Sequence, residues 1–385
     1  MKIAIDAYEA NVLQRVGSSQ VAFNLIKTIE LVDKKNEYVV FIPENPLPDL
    51  PKERAGFKYK KIGPKRLWTY IALPIALNSS KFDLFFSPSH YIPRFSKTKK
   101  IATIFDLSFL HFPEMFEKGD FWKLKNWTKF SALNSDHIIT ISNFSKEGII
   151  KEYRIDKSKI TVAYPGYDKE IFNQAAVSAA KIDKVKKKYK ISGTYIIYIG
   201  TIQPRKNLTR LIEAFSRIIL SDSEGSINRS LQLVIVGKSK GEGKEGWKYK
   251  EVLEAPSKFG IEDRVIFTGF IPTEDLVQIT AGAVVSVTPS LWEGFGIPVI
   301  EAMALGIPAI VSNVSSLPEV VGDAGLLVDP YSVDQIEQAI RTVVSDRNLR
   351  EKYSKAAIEQ AKKFSWEAMA ETVLKTFEKV GLVGI

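Results

Sequence analysis

Val284-Val285-Ser286-Val287-Thr288-Pro289-Ser290-Leu291-Trp292-Glu293-Gly294-Phe295-Gly296-Ile297-Pro298-Val299-Ile300-Glu301 is the stretch on which the fold turns. Its first five residues are a short β-branched run, the pattern of a strand buried on both faces. A loop with two glycines follows. Pro298 then stands where a first helical residue is favoured, and the helix it opens should close near Gly306. A strand running through a glycine-bearing loop into a helix is the unit of a parallel α/β sheet, and it leaves unpaired backbone N–H groups at the helix start, where they attract a diphosphate. Glu301, one turn inside, could accept from ribose hydroxyls or could simply favour the helix dipole. Glu293 could reach sugar hydroxyls or could be a surface charge.

The same alternation extends in both directions. Lys2–Asp6, Tyr38–Ile42, Leu84–Ser87, Ile101–Phe105, His137–Ile141 and Ile160–Tyr164 form one series of strand-like runs separated by helix-length segments, and Tyr195–Gly200, Leu231–Gly237, Val265–Gly269, Val284–Thr288 and Ala309–Ser312 form a second. Gln174–Lys190, rich in Ala, Ser and Lys, lies between them and reads as a linker with a leading helix. Two doubly wound α/β domains are expected, with a boundary near residue 170. A chain of 385 residues with 45% hydrophobic content suits two cores.

Each series carries a second candidate. In Gly200-Thr201-Ile202-Gln203-Pro204-Arg205-Lys206-Asn207, a strand ends and two adjacent cations precede a helix. Arg205 and Lys206 could neutralise the charge that grows on a departing phosphate, and the alternative is a solvated basic loop. After Asp6, a polar loop ends in Arg15-Val16-Gly17-Ser18-Ser19. There Gly17 would let a ligand approach the start of the next helix, with Ser18 or Ser19 as its cap.

Charge and composition narrow the classes. Residues 1–170 hold 27 Lys+Arg against 19 Asp+Glu, a net +8 of the chain's +10. The densest run, Lys58-Tyr59-Lys60-Lys61 through Lys65-Arg66, leads into Leu67-Trp68-Thr69-Tyr70-Ile71-Ala72-Leu73. This could rest on an anionic bilayer or grip an acidic acceptor, and otherwise reads as a solvated edge beside a buried helix. There is no cysteine, which excludes thiolate chemistry and suits a cytosolic chain, and no apolar run reaches the ~20 residues of a membrane span. His90, His111 and His137 lack a second ligand at metal spacing, so no metal is expected. No Gly-x-x-x-x-Gly-Lys-Ser/Thr run is present, against a P-loop ATPase. No nucleic-acid-binding motif accompanies the pI of about 9.3.

Over nearly its whole length the chain resembles glycosyltransferase family 4. The resemblance rests on Glu293 and Glu301 as a Glu-x7-Glu pair within Pro289 to Ala304, on Gly200 through Asn207, on Val265 through Pro272, and on Ser315-Ser316-Leu317-Pro318-Glu319-Val320. In the first half it rests on Asp106 through Glu114 and on Ser142-Asn143-Phe144-Ser145. It implies a GT-B fold of two Rossmann-like, doubly wound parallel-sheet domains facing each other across a cleft. Residues 1–172, completed by a helix at about 366–385, would form the acceptor domain, and residues 173–365 the donor domain.

It further implies a retaining, metal-independent transfer of a hexose from a UDP-, GDP- or ADP-sugar to a carbohydrate or glycolipid hydroxyl, without a cofactor and without nucleic acid. The setting would be cell-envelope polysaccharide, lipopolysaccharide or glycolipid synthesis in the cytoplasm, with peripheral contact at the inner membrane face through the basic N-terminal domain. Arg205 and Lys206 would bind the diphosphate, Glu301 the ribose, and Glu293 would lie near the transferred sugar. Asp106 completes the catalytic set. Gly17, Gly200, Ser290, Gly294 and the backbone at Phe295, Gly296 and Ile297 would contact sugar and phosphates, with Gly269, Phe270 and Ile271 near the base. Two positions depart from the family. Phe105 precedes Asp106 where many relatives have histidine, and Thr201 follows Gly200 where others have arginine. A nucleotide-sugar epimerase of the same architecture and a noncatalytic sugar-nucleotide-binding subunit are the rival expectations.

Overall fold

The computed structural model describes residues 1–15, 17–221, 230–238 and 249–382; Val16 of the loop before Gly17 and the last three residues of 366–385 lie outside them. The chain divides into two compact units, Met1–Gly166 with Ser365–Ile385, and Tyr167–Phe364.

The first unit holds β1 (Lys2–Asp6), β2 (Glu37–Ile42), β3 (Phe57–Lys61), β4 (Leu84–Ser87), β5 (Lys99–Thr103), β6 (His137–Thr140) and β7 (Ile160–Val162) in a parallel sheet of order β3-β2-β1-β4-β5-β6-β7. The second holds β8 (Tyr195–Ile199), β9 (Gln232–Val236), β10 (Val265–Gly269), β11 (Ser286–Thr288), β12 (Ala309–Ser312) and β13 (Gly325–Val328), ordered β10-β9-β8-β11-β12-β13 and again all parallel. In both, the winding reverses beside the first strand, between β1 and β4 and between β8 and β11. Open α/β sheets leave a crevice for ligands at the carboxyl ends of the strands flanking such a reversal. The two sheets with this winding are the GT-B arrangement that the resemblance implies.

The central strands are buried along their length: Ile196, Ile197 and Tyr198 on β8, Leu233, Val234 and Ile235 on β9. The helix Leu208–Ser221 covers one face with Leu211, Ile212, Phe215 and Ile218. Two strands went unread in the sequence. Phe57–Lys61 is an edge strand that turns Phe57 inward and lysines outward; charge on an edge blocks further pairing but hides the hydrophobic signal. Gly325–Val328, at the opposite kind of edge beside β12, is short and starts on glycine. Strand β5 starts at Lys99 rather than Ile101, because Lys99 and Lys100 pair with Leu84 and Phe85 of β4.

The helix Trp366–Leu382 belongs to the first unit, where it packs on the helix Ser18–Val32. Phe377 sits 5.1 Å from Phe86 of β4 between ring centroids, and Lys99 Nζ donates to Val380 O at 2.9 Å. Gly166 marks the crossing: a Cβ there would lie 2.2 Å from Trp366 N, so only glycine fits. Among the described residues no helix is long and apolar enough to cross a membrane.

Candidate active site

The second unit gathers its chemistry at the reversal between β8 and β11. After β8, Gly200 turns the chain (φ 153°), Pro204–Lys206 make a single tight turn, and Asn207 takes a left-handed conformation (φ 60°) before the helix Leu208–Ser221. Asn207 Nδ2 donates to Pro289 O at 3.0 Å and Pro330 O at 2.6 Å, and Leu291 N–H donates to Arg205 O at 2.7 Å. The two loops are therefore one hydrogen-bonded body, and the amide of Asn207 is spent on holding them.

Within that body the cations meet a carboxylate. Lys206 Nζ lies 2.5 Å from Glu293 Oε1, Arg205 Nη1 lies 3.4 Å from Oε2, and Ser290 Oγ donates to Oε1 at 2.8 Å. Lys206 and Glu293 are both buried. Burial alone would raise the Glu293 carboxyl, yet Lys206 and Arg205 hold it below the ordinary value. Glu293 is thus no surface charge. Both its oxygens are engaged by the cations and Ser290, and the trio keeps a net charge of about +1 for a ligand. Arg205 also donates from Nη1 to Trp292 O at 2.8 Å and from Nε to Gln203 Oε1 at 3.2 Å, which fixes the guanidinium; among the described residues Nη2 has no hydrogen bond.

The loop between Glu293 and the helix Ile297–Ala304 is held from below. Ser316 Oγ donates to Glu293 O at 2.9 Å and Phe295 O at 3.0 Å, and Ser312 Oγ to Ser290 O at 2.6 Å. Ser312 and Ser316 are buried. Their role was not assigned from sequence, and the only cue was the serine-rich stretch after β12. Phe295 is buried, its ring 5.4 Å from Phe364, so only its backbone is offered. Gly296 takes φ 116° at the helix N-cap, with Pro298 in the first turn. Glu301 follows one turn on. Its carboxyl is pushed up to about 8, chiefly by burial and further by Asp168, and among the described residues it has no hydrogen bond. At the ends of β9 and β10, Gly237 N–H donates to Gly269 O at 3.0 Å; Phe270 is exposed and Ile271 buried.

The remaining sequence-derived residues lie in the first unit. Gly17 caps the helix Ser18–Val32 with φ 55°, and a Cβ there would meet nothing within 4 Å. The cap position falls on Gly17 rather than on Ser18 or Ser19, and its positive φ suits glycine. Asp106 accepts from Ser108 N–H at 2.7 Å. Phe105, standing where many relatives have histidine, stacks 5.6 Å from the His90 ring, and Phe105 N–H donates to His90 Nε2 at 3.3 Å. Burial holds His90 down to about 4, with Asp106 opposing. The sequence offered His90 only as a separated histidine.

Two parallel-sheet units of this winding, the second with a cation pair and a glycine-led helix at its reversal, define a GT-B glycosyltransferase. Residues 17–171 match the family model described as Glycosyltransferase Family 4, and residues 181–360 the model described as Glycosyl transferases group 1. The chain is 31% identical over 322 residues to O-antigen chain mannosyltransferase B of Escherichia coli, covering 83% of this chain and 79% of that one. It belongs to glycosyltransferase family 4. It is also 28% identical over 247 residues to the serotype-specific mannosyltransferase WbdA of E. coli, 64% of this chain but only 29% of that longer one. Among solved structures, WaaG, a glycosyltransferase involved in lipopolysaccharide biosynthesis, matches with a TM-score of 0.73 at 15% identity over 97% of this chain and 99% of its own. Anabaena HepE in complex with UDP-glucose matches with a TM-score of 0.74 at 17% identity over 98% and 100%.

Two stability measurements test this geometry. Lys206→Met should cost about 3 kcal/mol, because it strands a buried carboxylate, and adding Glu293→Gln should restore much of that loss; additive losses in urea unfolding would show the pair to be uncoupled. Glu301 binds a proton in the folded state between its ordinary value of 4.5 and about 8, where the unfolded chain has lost it, so native stability falls as pH rises through that window. Glu301→Gln should therefore unfold at the same temperature as wild type near pH 4 and at a higher one near pH 9. Equal midpoints at pH 9 would remove the burial argument.

Proposed function

We propose that the chain transfers a hexose from a nucleotide diphosphate sugar to a hydroxyl acceptor with retention at the anomeric carbon, in the synthesis of a cell-envelope polysaccharide. The observation that carries the reading is the fixed Arg205–Lys206–Glu293 trio beside the glycine-led helix Ile297–Ala304, all at one strand-order reversal. A diphosphate leaving group gains charge as the glycosidic bond breaks, and preorganised cations and backbone N–H groups stabilise that charge without rearranging. Arg205 and Lys206 supply the charge, the amides at Gly296 and Ile297 supply donors, and Glu293 positions both cations while cancelling one of their charges. Glu301, half-buried and short of partners, is suited to ribose hydroxyls. Phe270 at the end of β10 offers the base an exposed ring. No step requires a metal ion in this account.

Mannose is the sugar favoured by the names of the E. coli relatives, while the HepE complex with UDP-glucose keeps a uridine donor open beside a guanosine one. We place the work at the cytoplasmic face of a membrane. Lys65–Leu67, Trp68–Ala72 and Leu73–Asn78 form a continuous helical run, and along it Leu67, Ile71 and Ile75 recur every fourth residue, all exposed. Asn78 Nδ2 donates to Phe95 O at 2.8 Å, which brings exposed Phe95 to the end of this stripe. Lys65, Arg66 and Arg94 flank it. An aliphatic stripe bordered by cations is complementary to an anionic bilayer surface.

Arg205→Ala leaves the Lys206–Glu293 pair in place, so it should fold normally and lose about a hundredfold in kcat/KM for transfer; near-normal transfer would sink the assignment. Removing both cations needs Glu293→Gln as well, since the carboxylate would otherwise be stranded. Donor turnover in the absence of acceptor would favour an epimerase, donor binding without turnover against any acceptor pool a noncatalytic subunit, and NMR of the product anomer decides retention. Leu67→Gln with Ile71→Gln and Ile75→Gln should reduce co-sedimentation with vesicles containing anionic phospholipid while transfer to a soluble acceptor persists. Unchanged sedimentation would remove the membrane contact.

A further inference from the structure

Tyr198, next to last in β8, is buried, with its ring in the core that strand shares with the helix Leu208–Ser221. Its hydroxyl reaches forward along the chain and donates to Thr201 O at 3.2 Å. A phenylalanine would fill the same core, so the hydroxyl serves the loop after β8 rather than the packing.

That loop is gripped closely around the hydroxyl. A Cβ at Gly200 would lie 2.7 Å from the Tyr198 hydroxyl oxygen and 3.2 Å from Cζ, and a Cβ at Gly237 would lie 1.8 Å from Gly200 O. The Gly200 peptide is thus wedged between the tyrosine and the end of β9, and only glycine allows both approaches. There Gly200 N–H donates to Val236 O at 2.9 Å and Ile202 N–H to Lys238 O at 3.2 Å. From the held carbonyl of Thr201 the chain reaches the cations directly. Ile202 is buried, Gln203 O accepts from Lys206 N–H at 2.9 Å, and Gln203 Oε1 accepts from Arg205 Nε at 3.2 Å.

The hydroxyl also lies in the field of the ion cluster. Burial pushes its pKa far up, Glu293 pushes it further and Arg205 opposes. Tyr198 therefore remains a neutral donor over the ordinary range of pH, and it braces the loop without cancelling any of the trio's positive charge. We infer that Tyr198 is a positioning residue for transfer: through Thr201 O it fixes the turn Gly200–Gln203 and with it the Arg205 guanidinium, and so sets where positive charge meets the distal phosphate of the leaving nucleotide. This rests on the reading of Arg205 as the group that holds the diphosphate. A charge displaced by a loosened loop loses much of its hold on a ligand whose place is fixed elsewhere.

The test measures, by calorimetry on the full chain, the preference for UDP over UMP, GDP over GMP and ADP over AMP. The distal phosphate is all that differs within each pair, so the ratio of affinities reports the grip on that phosphate alone. A general loosening of the unit would weaken both members alike and leave the ratio standing. Tyr198→Phe should lower the ratio about fivefold or more for the nucleotide the protein prefers. In the Arg205→Ala background the same substitution should change it by less than about twofold, because the group it positions is gone. 4-Aminophenylalanine at position 198 returns an N–H donor and should recover most of the loss. Should Tyr198→Phe fail to fold, 4-fluorophenylalanine, which fills the hydroxyl's volume without donating, takes its place under the same outcomes. A ratio equal to wild type in the variant without a donor, or an equal fall with and without Arg205, overturns the inference. An intact ratio there beside a lost one in Arg205→Ala defeats the positioning role only, whereas a wild type with no preference for any diphosphate defeats the donor-site reading itself.

Discussion

A carboxylate buried between two cations organises the second unit. Glu293 reaches Lys206 and Arg205 across the gap between the loops after β8 and β11, 87 and 88 residues away in sequence. A buried charge of either sign alone would be costly, so neither loop can settle without the other. The consequence is positional. Arg205 is held through Trp292 O and Gln203, Lys206 through the Glu293 carboxylate, and the backbone carbonyls of Glu293 and Phe295 through Ser316. An electrostatic catalyst gains from groups that need not move when charge develops, and this network fixes them before any ligand arrives.

The same network explains what could and could not be read from the residues. Continuous β-branched runs announced the strands because both faces of a parallel sheet are covered. Phe57–Lys61 escaped since an edge strand shows its lysines, and Gly325–Val328 because four residues beginning with glycine carry little pattern. At the site, the cations, the glycines and both glutamates were legible from their place between a strand and a helix. Family membership, now shown by the relatives, supported that reading with several motifs in order. What sequence could not give was partnership. Whether Glu293 faced a sugar, water or a lysine depends on which loop lies opposite, and loop opposition is set by strand order, a property of the whole sheet. Ser312 and Ser316 are similar: a serine hydroxyl under a loop looks like any other serine until the carbonyls above it are known. Ser290, read as a donor contact, has its hydroxyl committed to Glu293.

His90 shows the opposite relation. A phenylalanine at position 105 removes a titratable group from the place where many relatives have one, and the fold sets another imidazole against that ring from the loop after β4. Because Phe105 N–H donates to Nε2, the neutral ring carries its proton on Nδ1 and can donate to Thr128 Oγ1, 3.3 Å away. Burial keeps it neutral at ordinary pH. This histidine is therefore built as a satisfied, uncharged group of the first unit, and a proton-transfer role would have to overcome both of its hydrogen bonds.

Topology supplies two similar crevices, one in each unit, and side chains make them different. At the β8–β11 reversal the loops carry two cations against one carboxylate, which leaves positive charge for an anion. At the β1–β4 reversal Asp6 and Glu9 line a cavity together with Lys65, Arg66, Lys123 and five aromatic rings, so acids, bases and apolar rings are mixed there. At the first crevice the net positive charge that Arg205 and Lys206 keep against Glu293 favours an anion over a neutral group. Similar topology therefore presents different chemistry in the two units: an ion-paired, cation-rich loop pair in one and an aromatic-lined cavity of mixed charge in the other.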